Sequence, residues 1–154
     1  MGWTPTPGDR VRIVGWNCNS LWPYLSQIGF INKIRKTDGD IFVLYDTRLK
    51  LTDEARFKKL WGETCFFNSY SGERRGIAVL IKDGTAIDNI EFHNVIKGNF
   101  SKLTFSVNNE AVLVKCIYAP NPDMNLIGPD NESRAFSRKS LMIQTRRNLP
   151  TKSL

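Results

Sequence analysis

The feature that most constrains this chain is the run Ile41-Phe-Val-Leu-Tyr45, five apolar residues enclosed between Asp40 and Asp46. A run that short, rich in β-formers and bounded by acidic residues, is a strand that belongs inside a sheet. Asp46 then stands where the strand emerges at its C-terminal edge. A carboxylate held there by a rigid element is suited to bind a metal or to exchange a proton. Capping the turn or helix that follows is the structural alternative.

Two further strands end in the same manner. Arg10-Val-Arg-Ile-Val-Gly-Trp16 runs into Asn17-Cys-Asn-Ser20, and Ala111-Val-Leu-Val-Lys-Cys-Ile117 runs into Tyr118-Ala-Pro-Asn121. Around them the pattern predicts strand 10–17, helix 21–36 with Leu21, Leu25, Ile28 and Ile31 on one face, a turn at 37–40 and strand 41–46. A short helix follows from Thr52 and Asp53 to Leu60, and then strands at 64–70, 76–82, 89–96, 100–107 and 110–118. Residues 122–130 read as a loop and 132–143 as a helix. Strands that dominate after an early α–β segment indicate an α/β layered sandwich.

The strand ends Trp16-Asn17, Asp40-Ile41-Phe-Val-Leu-Tyr-Asp46-Thr47 and Tyr118-Ala-Pro-Asn121 resemble, in order and spacing, those of the Mg-dependent endonuclease/exonuclease/phosphatase superfamily. Within it, Trp61-Gly, Phe67-Asn-Ser-Tyr70 and Gly76-Ile-Ala-Val-Leu-Ile-Lys82 are most similar to the endonuclease domain of LINE-type non-LTR retrotransposons. The resemblance implies a DNase I-like sandwich of which this chain carries about the first half: residues 1–123 as the N-terminal part of the domain, 124–154 as a basic tail.

It further implies that Asp46 and Asn17 hold Mg²⁺, or Mn²⁺ in its place, and that Asn17 and Tyr118 act on the scissile phosphate. Asn121 would contact the substrate backbone. Each has a plainer reading: an Asx-turn or helix cap for Asn17, a task Ser20 could share, and a strand-end aromatic for Tyr118. Two positions depart from the family pattern. Asp46 stands in place of a glutamate, about 1.5 Å shorter in reach, and Tyr45 in place of a glutamine.

The family's later Gly-Asp-x-Asn strand end, its further aspartate and its C-terminal Ser-Asp-His have no counterpart in residues 122–154. The single histidine, His93, lies within a strand-like run with no partner motif and reads as an exposed strand position. No general base can be named. The implied function is therefore a truncated, Mg-dependent DNA endonuclease, inactive alone. The alternatives are a non-catalytic remnant with weak nucleic-acid affinity, or another phosphodiesterase or phosphatase of the superfamily.

Charge bears on the partner. The chain has net charge +7, of which residues 131–154 contribute +5 through Arg134, Arg138, Lys139, Arg146, Arg147 and Lys152 against Glu132. A basic segment attracts polyanions such as DNA without sequence preference, although such chain ends are often just solvated. Cys18, Cys65 and Cys116 lack metal-site or disulfide spacing and read as thiols of an intracellular protein, the nucleus being one such location. No apolar run approaches the ~18–20 residues of a membrane span. Half a sandwich would also leave one sheet with a bare apolar face, an opportunity for self-association.

Overall fold

The computed structural model describes residues 10–21 and 24–118. Among these residues seven strands and two helices follow one another as β1 (Ile13–Asn17), α1 (Tyr24–Lys36), β2 (Ile41–Tyr45), α2 (Leu51–Trp61), β3 (Cys65–Asn68), β4 (Ile77–Ile81), β5 (Asp88–Ile96), β6 (Phe100–Val107) and β7 (Glu110–Ile117). Each is within a few residues of its sequence-predicted range. The segments 122–130 and 132–143, the basic tail and Asn121 lie outside the described residues.

The strands divide into a four-stranded sheet, ordered β1-β2-β4-β3, and a three-stranded sheet, β5-β6-β7. β1 and β2 are parallel, in register Ile13 with Ile41 through Asn17 with Tyr45, and a parallel pair needs a crossover, which α1 supplies. The remaining pairs are antiparallel. β2 and β4 are buried at every position because side chains alternate between two covered faces. Phe42, Leu44, Ala78 and Leu80 meet Ile31 and Ile34 of α1, Phe57 and Trp61 of α2, and the loop residues Leu21 and Leu49. Ile41, Val43, Tyr45, Ile77, Val79 and Ile81 meet Leu103, Phe105, Val114 and Cys116 of the second sheet.

The layers are thus helices, sheet, sheet. The chain does not stop at one sheet with a bare apolar face, as the half-sandwich expectation held. Strands β5 to β7 form the second sheet and cover that face. Period-two alternation in each strand was readable from sequence, but it does not say which sheet a strand joins. Among the described residues the exposed large apolar side chains are Leu51 and Val95, which do not make a patch for self-association. No described helix is long and apolar enough to cross a membrane.

Local signals set the element ends. The Asp53 carboxylate accepts the Lys50 N–H at the start of α2 (3.1 Å), and Gly62 closes it in the left-handed conformation (φ 76°). Asn108 and Asn109, both at positive φ, make the tight β6–β7 hairpin. The buried face of α1 is Gln27, Ile31 and Ile34; of the predicted stripe Ile31 is buried, Leu21 is buried just before the helix, and Ile28 is only partly buried. Asn68, buried at the end of β3, bridges the sheets: Nδ2 donates to the carbonyls of Ile96 and Phe100 and to Ser101 Oγ, and Oδ1 accepts the Gly98 N–H at 2.8 Å.

Phe105→Ala removes an almost fully buried ring from between the sheets. The expected loss is about 3–5 kcal/mol, read as a lower urea midpoint with an unchanged slope.

Burial pushes the Cys65 thiol up to about 11 and the Cys116 thiol up to about 12 from an ordinary 9.0. Native protein at pH 8 should therefore react with a disulfide reagent far more slowly than urea-unfolded protein. The native state holds these protons while the unfolded chain releases them near 9.0. Stability should fall as pH rises above that value, measurable by denaturant titration across the alkaline range.

Candidate functional site

The C-terminal ends of β1, β2 and β7 meet, although β7 belongs to the second sheet, so the meeting point lies across the sandwich and not along one sheet edge. Parallel register sets Asn17 beside Tyr45. The next backbone bonds, Cys18 N–H to the Tyr45 carbonyl and Ser20 N–H to the Asp46 carbonyl (both 2.8 Å), carry the pairing into the loops. On the other side Thr47 and Arg48 donate to the carbonyls of Gly76 and Arg75, and Gly76 donates to Gly98. Tyr118 donates its N–H to the Asn99 carbonyl (2.8 Å), and Asn99 Nδ2 returns a bond to the Tyr118 carbonyl (3.0 Å). Gly76 is required here: its φ is +108°, and a Cβ would stand 2.5 Å from Thr47 Oγ1.

Asp46 is buried at the centre of this junction. Oδ1 accepts Arg48 Nε and the Arg75 backbone N–H, each at 3.1 Å, and Oδ2 accepts Arg48 Nη2 at 2.9 Å. Tyr118, at the end of β7, lies near enough to the same carboxylate for its charge to act on the phenol. A carboxylate has about four lone-pair sites, and three donors occupy three of them. Its φ of 53° explains the residue type, because aspartate and asparagine tolerate the left-handed region better than longer acidic residues. Asp46 caps neither helix: the start of α2 is held by Asp53.

Asn17, exposed on its edge strand, spends Oδ1 on the Asn19 N–H at 3.0 Å, the Asx-turn alternative. Asn19 in turn accepts Arg48 Nη2 at 3.2 Å. Asn17 is therefore connected to Asp46 through Asn19 and Arg48. Tyr118 is partly buried with its ring 6.2 Å from that of Tyr45. Burial first, and then the Asp46 charge, raise its phenol above the ordinary value. The hydrogen bond to Asp46 likewise holds the Arg48 guanidinium above its ordinary value. Tyr45, in place of the family's glutamine, is a core residue of the inter-sheet layer.

Arg48 and Arg75 are the residues of this cluster that sequence reading missed. Arg48 had a signal, since it lies two positions beyond the strand-end carboxylate. Arg75 had none, as its role is played by a backbone N–H in the turn before β4. Its guanidinium lies 4.9 Å from the Tyr70 ring, with Arg74 on the same ring at 5.8 Å. The rim is thus an arginine–tyrosine cluster.

These residues do not fit a resident Mg²⁺. Both oxygens of Asp46 are committed to donors, Asn17 Oδ1 is in its own turn, and no group of three His, Cys, Asp or Glu able to hold a metal occurs among the described residues. An ion at Asp46 requires Arg48 to leave. His93 is exposed on β5, its ring within 3.2 Å of Glu91, and alternates with the inward-packed Phe92, so it faces away from the sandwich interior.

No protein-family model matches the sequence, and no curated protein matches it either. Solved structures do match the fold. TDP2 from Caenorhabditis elegans aligns with 75% of this chain and 37% of its own, at 14% identity and a TM-score of 0.52. A truncated form of the same protein aligns with 75% of this chain and 48% of its own, at 15% identity and a TM-score of 0.52. The fold is the DNase I-like layered sandwich, and the chain spans less than half the length of those neighbours.

Asp46→Asn should cost about 1–2 kcal/mol, less than the ~3–5 of a fully buried pair, because Arg48 retains 33% side-chain exposure and can rehydrate. Asp46→Ala should lose about 1 kcal/mol more through its left-handed backbone. Urea denaturation of the two variants checks both the size and the order.

Proposed function

We propose that this chain is a nucleic-acid-binding module on a phosphodiesterase fold, of the retrotransposon endonuclease kind, which binds DNA without sequence preference and does not cut it unaided. The observation that carries the reading is the convergence of Asn17, Asp46 and Tyr118 with Arg48 and Arg75 at one end of a DNase I-like sandwich. The likeness of residues 61–82 to retrotransposon endonucleases supports the branch, and the fold match to TDP2 supports the superfamily. The excess of positive charge supports DNA as partner.

Absence of cleavage follows from the chemistry of the described side chains. Hydrolysis of a phosphodiester needs an oriented water and stabilisation of the leaving oxygen. Asp46 is neutralised by Arg48, burial and the Asp46 charge hold the Tyr118 phenol above its ordinary value, and His93 lies on the outer face of the second sheet. The binding role for Asn121 and the basic tail belongs to this proposal on the sequence pattern alone.

A supercoiled-plasmid assay with Mg²⁺ or Mn²⁺ tests it. Wild type and Asp46→Ala should both leave the plasmid uncut while retarding it, and retardation should fall steeply with added salt. Metal-dependent nicking that disappears in Asp46→Ala, or no retardation at low salt, would overturn the proposal.

A further inference from the structure

We infer that Arg48 stands in the place of a divalent cation, so that a phosphodiester group of nucleic acid is held at this site by guanidinium donors and needs no metal ion; the ligand class rests on the function proposed above. The Arg48 guanidinium lies against Asp46 through Nε and Nη2, at 3.1 and 2.9 Å. Asn19 Oδ1 takes a second bond from Nη2 at 3.2 Å. These bonds fix the plane of the group, and Nη1 has no partner among the described residues.

A guanidinium fixed along one edge presents its remaining N–H groups in a defined direction, the arrangement suited to a phosphate oxygen. Asp46 cancels one positive charge, and Arg48 with Arg75 supplies two, so the junction carries a net positive charge. Arg75 Nε is buried and has no partner among the described residues. Tyr70, stacked with Arg74 and Arg75, gives the same rim an aromatic face on which a base can stack.

The Asp46-Thr-Arg48 spacing makes this occupancy local. Asp46 turns into the left-handed region, Arg48 does so again at φ 52°, and both side chains return to the same side of the chain. The cation locus is therefore filled by the chain itself. A divalent ion must displace a bidentate, partly buried ion pair before it can bind.

Mn²⁺ titration followed by electron paramagnetic resonance tests the place of Arg48 independently of DNA. The free-ion signal should be undiminished by wild type and reduced saturably by Arg48→Ala and Arg48→Met, the latter keeping the aliphatic stem. The reduction should vanish in Arg48→Ala combined with Asp46→Asn. Circular dichroism melts establish that each variant is folded, and Mn²⁺ should raise the melting temperature of the Arg48 variants only.

In parallel, anisotropy with a fluorescent duplex should give the same wild-type affinity in EDTA as in Mg²⁺. Arg48→Met should lower the salt slope by about one. Saturable Mn²⁺ binding by wild type that Asp46→Asn removes would overturn the inference, as would failure of both folded Arg48 variants to take up Mn²⁺. Loss of wild-type duplex binding when EDTA replaces Mg²⁺ would also overturn it. A duplex that fails to bind under every condition would instead remove the proposed function, with the Mn²⁺ experiment still reporting on Arg48.

Discussion

The Asp46 carboxylate is the fixed point on which the strand-end junction depends. It receives donors from its own loop and from the turn before β4, and so ties the ends of β2 and β4 to one another. Burying a carboxylate is unfavourable unless its charge and lone pairs are met, and here the Arg48 guanidinium and the Arg75 N–H meet them with three donors. The surrounding backbone bonds between residues 18–21, 45–48, 75–76 and 98–99 act in the same direction. Loops that would otherwise move independently are fastened into one surface.

That surface rests on a core with two distinct interfaces. β2 and β4 present alternate residues to the helices and to the second sheet, so neither interface can slip by one residue without exchanging the two sets of side chains. At the far side of the junction Asn68 fixes the β5–β6 turn against β3 with a side chain whose donors and acceptor are all used. The polar residues nearest the site are therefore mostly structural.

Much of the fold was legible in the sequence because its signals are local. Unbroken apolar runs marked β2 and β4, and an Asn-Asn pair marked the β6–β7 turn. The partition of strands between sheets was not legible, since β5 to β7 alternate in the same way whichever partner they cover. The strand-end cluster, as a candidate site, was legible as residues but not as interactions. Asn17, Asp46 and Tyr118 were singled out from their strand-end positions, whereas the bond between Asp46 and Arg48 depends on two left-handed residues, one on either side of Thr47, that composition does not disclose.

The topology also orders the folding reaction. The second sheet is a meander whose strands are joined by turns at 97–99 and 108–109, so its pairings close short loops. The first sheet needs β4 to enter between β2 and β3, and β1 to pair with β2 across a helix, contacts of much longer sequence separation. Non-local pairings are the slow ones. The meander can therefore form early as a platform, with the first sheet condensing on it and the Asp46 junction closing only when both are in place.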